Sequence, residues 1–231
     1  MSEHFDLDAL IVYQSLTPKI RLGNFNDGGY VVCEAETYDC FLSGGVATNT
    51  SFEEALLDKY PELSCRTYDG TIDCLPNPRD RMSFDKRNIS SLESEHTTNL
   101  HALLTEHLNV FVKMDVEGSE YEWIAALSDE MLSHIRQLVV EIHWPFEPEK
   151  WSVLTRLAKS HWLIHLHPNN CAGVSHVNGV DVPDVFECTY LHKSVGILRR
   201  SRDSIPTYID QQNHPGIPDI LLRGHPYSAT E

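Results

Sequence analysis

The chain has 231 residues, with 18 Lys and Arg against 34 Asp and Glu, a formal charge of -16. That balance excludes nucleic acid and an anionic membrane surface as main partners, because both select a basic face. Hydrophobic content of 41% and charged content of 23% are globular values, and the length suits one α/β domain over residues 1–231.

No apolar run reaches the roughly 18 residues of a membrane span, so no membrane insertion is expected. "MSEHFDLDALIVY" has neither a basic start nor a small-residue cleavage site, and the expected compartment is the cytoplasm. Six cysteines, at 33, 40, 65, 74, 171 and 188, form no CxxC pair, which predicts reduced and mostly buried thiols.

In chain order, "FDLDALIVYQSL" predicts a short amphipathic helix over 5–16 and "RLGNFNDGGYVV" a turn ending in a strand, so residues 1–38 read as an N-terminal cover. "CFLSGG" is a short buried strand running into glycines. "TNTSFEEALLDKY" opens a helix, with Thr50 and Ser51 each three residues before a glutamate. "LSCRTYDGTID" is a second strand ending in acids, and "TTNLHALLTEHL" a helix. "VFVKMDVEG", "SEYEWIAAL", "IRQLVVEIHW", "PEKWSVLTRLAKS" and "HWLIHLHPNN" continue as strand, helix, strand, helix, strand.

Such alternation over residues 39–200 predicts a doubly wound, mainly parallel, Rossmann-like sheet. "FECTYLHK" and "VGILRR" are strand-like with no helix between them, which predicts an antiparallel C-terminal end to the sheet. Residues 201–231 are proline-rich and predict an irregular tail.

In such sheets ligands bind at the carboxyl ends of the strands. Here those ends are polar: Ser43-Gly44-Gly45, Asp69, Asp115-Val116-Glu117-Gly118, Glu141-Ile142-His143-Trp144 and His165 to Asn170. Glycines after the first strand let a ligand approach the backbone, and an acid ending the second can accept from ribose hydroxyls. Glu53 and Glu54 in the first helical turn are ill-suited to a pyrophosphate and suit an ammonium and a sulfonium. S-adenosylmethionine is thereby favoured over a dinucleotide.

"RLGNFNDGGYVV", "FLSGGVATNTSFE", "YDGTID", "KMDVEGSEYEWI", "VVEIHW", "HLHPNN" and "TYIDQQNHPGIPD" occur in the order seen in FkbM-type methyltransferases, which the chain resembles from about residue 19 to 220. The resemblance implies a Rossmann-like methyltransferase fold, S-adenosylmethionine as methyl donor, and a hydroxyl of a sugar, glycan terminus or natural product as acceptor.

The expected cofactor residues are Ser43, Gly44, Gly45, Asn49, Phe52, Glu53, Asp69 and Asp115. Asp115 has three readings: a helix-capping acid, a holder of the cofactor's methionine part, or a ligand with Glu141 and His143 for magnesium or manganese. His143 is the favoured general base, tuned by Glu141 two residues away on the same strand face, and His167 its rival. Trp144 offers a stacking face, and Asn169, Asn170 and His167 are candidate acceptor contacts. Glu120 and Glu122 read as a solvated helix face. A cofactor-binding module without turnover and a nicotinamide-dependent oxidoreductase are the alternatives. The missing GxGxxG disfavours the second.

Overall fold

The computed structural model describes residues 5–34 and 37–229. A hairpin of β1 (Lys19–Gly23) and β2 (Gly29–Cys33) precedes β3 (Cys40–Gly44), α1 (Ser51–Lys59), β4 (Cys65–Tyr68) and β5 (Met82–Asp85). The short pair β6 (Asn88–Ile89) and β7 (Thr97–Thr98) leads to α2 (His101–Glu106), β8 (Val110–Met114), α3 (Glu120–Ala126) and α4 (Asp129–His134). There follow β9 (Ile135–His143), α5 (Pro148–Ser160), β10 (His161–Pro168), the hairpin β11 (Val174–Val177) and β12 (Val180–Pro183), and β13 (Val185–His192).

Seven strands form one sheet in the order β10-β13-β9-β8-β3-β4-β5. All run parallel except β13, which pairs antiparallel with both β9 and β10. The antiparallel element therefore lies inside the sheet rather than at its end, and "VGILRR" is not a strand. A 3-10 turn over Lys193–Val195 and Gly196 at φ +112° end the extended run there, leaving only an Arg200 bridge to Tyr13.

The chain leaves β3 in one direction through β4 and β5, then returns to β8 on the other side of β3. That reversal places the topological switch point between β3 and β8, where strand ends diverge and a crevice opens.

Two apolar cores cover the two faces. Leu42, Val112, Met114, Val140, Ile142 and Phe186 pack against α2 to α5, through residues such as Leu104, Trp123, Leu132 and Leu157. On the other face Phe41, Phe111 and Val139 pack against α1 and the β1–β2 hairpin, through Phe52, Leu56, Tyr30 and Val32. The strands read as near-continuous apolar runs because both faces are buried.

The helix expected over 5–16 shrinks to a 3-10 turn, Leu7–Leu10, capped by Asp6. Beyond it the amides of Tyr13 and Gln14 donate to the carbonyls of Leu163 and Arg199, so the segment runs extended along β10. The helix expected from Thr97 starts at His101, since Thr97–Thr98 pairs with β6. β5 to β7 and the β11–β12 hairpin carry no sequence expectation. Among the described residues no helix is long and apolar enough to cross a membrane.

Gly45 holds the switch point together. Its φ is +73°, and a Cβ there would sit 1.7 Å from the Asp115 carbonyl oxygen. Gly118, at φ +103°, has nothing within 4 Å of its Cβ position. In urea denaturation, Gly45→Ala should cost at least about 2 kcal/mol, from strain and overpacking together. Gly118→Ala should cost only the backbone strain, about 1–2 kcal/mol. Equal costs would contradict the close β3–β8 contact.

Candidate functional site

At the switch point a cleft of about 540 Å³ opens, bordered by Gly45, Asp69, Asn88, Asp115, Glu117 and Ser119. Its size falls within the roughly 300–1,000 Å³ of small-ligand sites. The lining holds three carboxylates, Asp69, Asp115 and Glu117, and no Lys or Arg.

Asp69 ends β4 as expected, yet its carboxylate is turned onto the loop. Oδ2 accepts from the amides of Val46 and Ala47 at 3.1 and 2.8 Å, and Oδ1 from the amide and hydroxyl of Thr71 at 2.8 and 2.5 Å. Burial raises its pKa, but the Thr71, Ala47 and Val46 bonds outweigh burial and hold it below the usual range. With four donors in place Asp69 fixes the loop rather than offering a free acceptor to ribose.

Five expected cofactor residues, Ser43, Gly44, Asn49, Phe52 and Glu53, lie outside the lining. Phe52 is buried in the aromatic cluster with Phe41, Phe111 and Tyr30. Glu53 is 1% exposed and accepts from the Ser43 hydroxyl at 2.6 Å, so both are spent on each other below the loop. Asn49 accepts from the Ser51 amide at 3.1 Å, turning the chain into α1. Gly44 is buried against Ile89, Met114 and Val116.

Asp115 opens the strand end of β8 toward the cleft. Tyr30 donates to its Oδ2 at 2.8 Å, and the Lys113 ammonium, bonded to the Gly45 carbonyl, stands 3.9 Å away. Burial would raise the Asp115 pKa, but Lys113 first, then Tyr30, holds it below the usual value.

Next to it His143, 3% exposed, is surrounded by carboxylates. Its Nδ1 lies 3.2 Å from Glu120 Oε1, and its Nε2 lies 3.3 Å from Glu141 Oε2 and 3.5 Å from Glu117 Oε2. Burial alone would depress the imidazole, but Glu120 and Glu141 raise it to about 10. Carboxylates at both ring nitrogens favour the protonated imidazole, which weighs against the general-base role expected for His143.

Glu141 has the opposite character. Burial, reinforced by Asp115 and Glu187, raises its carboxyl to about 7 against the His143 contact and an Asn169 amide bond of 2.9 Å.

Glu120 corrects a second expectation. Far from a solvated face, it is fully buried: Oε1 also accepts the His143 amide at 3.0 Å, and Oε2 the Gly118 amide at 2.7 Å. Its spacing held the signal, since Glu120 lies three and four residues before the buried Trp123 and Ile124 on one helix face. Glu122, by contrast, is exposed and accepts from Ser90 at 2.9 Å.

The residues expected to meet the acceptor divide. Trp144 is 55% exposed, not core, and holds a left-handed φ of +42°, a strained conformation for an aromatic residue. Asn169 is half-buried and bonded to Glu141. Asn170 is buried and spent on the tail, donating to the carbonyls of His214 and Ile217 and accepting the His214 amide, so it has no free group for a hydroxyl.

His167 is 2% exposed beneath the same tail, with Nδ1 3.6 Å from Glu187 Oε2 and Nε2 3.9 Å from Asp219 Oδ1. Glu187, unforeseen from the sequence, sits opposite both Glu141 and His167 in the strand register. His165 pairs with Asp210 at 2.8 Å. The tail is irregular, as expected, but it is packed onto this end of the sheet.

Asp115, Glu117 and His143 each offer one ligand atom within 4.8 Å of the others. The set differs from the expected Asp115, Glu141 and His143 by having Glu117 in place of Glu141.

No profile of a known protein family matches the chain, and no curated protein matches it. Nine solved chains do. Among them is a candidate methyltransferase from Thermoplasma acidophilum, 10% identical, covering 78% of this chain and 84% of that one at a TM-score of 0.33. So distant a likeness says nothing about chemistry.

In the metal-free protein the His143 proton stabilises the fold. Because the folded pKa of about 10 exceeds the ordinary 6.5, that stabilisation is complete below about pH 6.5 and is lost as pH rises through about 10. Glu141, raised from 4.5 to about 7, slopes the same way between those values. In chelating buffer the urea midpoint should fall from pH 6.5 to 10, and His143→Gln should flatten the fall above pH 7. NMR should find the His143 ring still protonated at pH 8, and a neutral ring there would contradict the carboxylate cage.

Proposed function

We propose that the protein is an S-adenosylmethionine-dependent O-methyltransferase acting on a hydroxyl of a small acceptor, a sugar or glycan terminus. The observation that carries the reading is the cleft at the switch point, lined by three carboxylates and no cationic side chain. Such a lining repels a pyrophosphate and attracts a ligand carrying an ammonium and a sulfonium. The strand order supports the same reading, because with β13 set aside it is 3-2-1-4-5-6 in order of appearance, the arrangement of nucleotide-binding doubly wound sheets. The resemblance to FkbM-type methyltransferases points the same way.

In this reading Gly45 allows the close backbone approach at the cleft, Asp69 shapes its loop, and Asp115 contributes to the negative charge that draws the cationic cofactor. Bound there, S-adenosylmethionine supplies an electrophilic methyl group on a positively charged sulfur. Glu141 receives the proton that the acceptor hydroxyl loses as its oxygen bonds to the methyl carbon, the carbon–sulfur bond breaking with its electron pair to sulfur so that S-adenosylhomocysteine leaves. A carboxyl near 7 is matched to that task at neutral pH, and typically contributes roughly 10² to 10⁴ in rate. The exposed Trp144 ring is the acceptor's stacking face. His167, shut beneath the tail, has a positioning role at most.

The test is transfer of a labelled methyl group from S-adenosylmethionine to a pool of sugars and glycans, read by mass spectrometry. A product labelled on oxygen supports the reading, and no transfer to any hydroxyl would count against it. With the acceptor in hand, Glu141→Gln should lower kcat by about 10² or more at saturating donor, with little change in donor affinity. A kcat close to wild type would remove Glu141 as the base.

A further inference from the structure

Glu117 and Glu120 have no part in the transfer just described, yet both are turned onto His143. Glu120 is fully buried, and its carboxylate faces Nδ1 at 3.2 Å. With Nδ1 fixed from behind, Nε2 is aimed at the acids in front, and the ring itself is only 4% exposed. The Glu117 oxygen that Nε2 meets is at 3.5 Å, longer than the roughly 2.7–2.9 Å of a charge-assisted hydrogen bond. That separation is instead close to what two ligand atoms show around one ion. With both at about 2.1 Å from a metal, they stand roughly 3.0 Å apart at octahedral and 3.4 Å at tetrahedral angles.

We infer that Asp115, Glu117 and His143 bind a divalent cation at the mouth of the cleft, with Glu120 as the carboxylate that fixes the imidazole for it. The three ligand atoms lie within 4.8 Å of one another, and Glu141 falls outside that group. One imidazole with two carboxylates suits manganese better than calcium or magnesium, which favour oxygen-only sets. Glu117 is 82% exposed, so the ligand set is open on the solvent side. An open position is the mark of a site that meets substrate rather than one that only braces a fold. The carboxylate behind a metal-bound histidine holds its tautomer and typically changes affinity by roughly 10- to 100-fold.

Glu117 also sits at φ +53°, a left-handed conformation uncommon for a residue other than glycine. The turn it makes with Gly118 swings its side chain back from the end of β8 toward His143. The backbone strain of that turn is thus spent on bringing a third ligand to the site.

The test is Mn²⁺ binding to the chain in the absence of cofactor and acceptor, read by electron paramagnetic resonance. One Mn²⁺ per chain is expected. Glu117→Gln, an exposed change that leaves the fold intact, should weaken it at least about tenfold, and Glu120→Gln by roughly 10- to 100-fold. Glu122→Gln, two residues along α3 from Glu120 and turned to Ser90, should bind as wild type does. Absence of Mn²⁺ binding by the folded wild-type chain, or equal affinity in Glu117→Gln and Glu122→Gln, would overturn the site. A parallel titration of S-adenosylhomocysteine in chelating buffer separates this from the transfer reading. S-adenosylhomocysteine binding without Mn²⁺ binding would overturn the ion alone, and Mn²⁺ binding that depends on Glu117 supports the ion whatever the nucleoside does.

Discussion

Negative charge buried at the mouth of the sheet has to be balanced, and much of this molecule is arranged around that balance. Asp115, Glu120, Glu141 and Glu187 all stand near the carboxyl ends of β8, β9 and their neighbours, Asp115 half-buried at the cleft and the other three with little or no access to water. An unpaired buried carboxylate is costly enough to shift its pKa or to unfold the site. Each therefore has a partner: Lys113 and Tyr30 for Asp115, the His143 ring for Glu120 and Glu141, Asn213 for Glu187. Burial moves Glu141 toward neutrality, to about 7.

The covers of the sheet serve the same balance. The β1–β2 hairpin brings Tyr30 over Asp115, and it is held down by Gln137, which bonds both backbone groups of Cys33. The tail brings Asp210 to His165 and Asn213 to Glu187, with Asn170 tying it down. His165 pulls the Asp210 pKa down to about 2 although burial opposes it, so the Asp210 carboxylate keeps its charge across the physiological range. Hairpin and tail meet where the Asn26 amide donates to Gln211 at 3.1 Å. Acidic groups at the strand ends are thus enclosed from two sides, and of them Asp115 borders the cleft, with Asn88, Glu117 and Ser119.

Much of this was legible in the chain itself. β3, β8, β9 and β10 are apolar runs long enough to mark buried strands, and α5 carries a clear apolar stripe ending in the buried Trp151, Leu154 and Leu157. Asp69, Asp115, Glu141 and His143 stand at strand ends because polar residues follow each apolar run directly. What stayed hidden depends on three-dimensional neighbours. Phe52 and Glu53 open a helix beside the glycine loop, yet one points into the aromatic core and the other under the loop. Glu187 lies in an ordinary alternating strand, and only the antiparallel register sets it against Glu141. The N-terminal segment has a helical pattern, but the open edge of β10 offers its backbone partners that a short isolated helix cannot match. His143 was read with Glu141 beside it, whereas the fold adds Glu117 and Glu120.

The central claim is that the cleft at the switch point takes a nucleoside bearing positive charge and no phosphate. Isothermal titration with S-adenosylmethionine and, separately, with NAD tests it most directly. The account predicts one S-adenosylmethionine per chain, binding that weakens when Asp115→Asn removes a cleft carboxylate, and no heat from NAD at the same concentrations. Saturable binding of NAD, with none of S-adenosylmethionine, would contradict it.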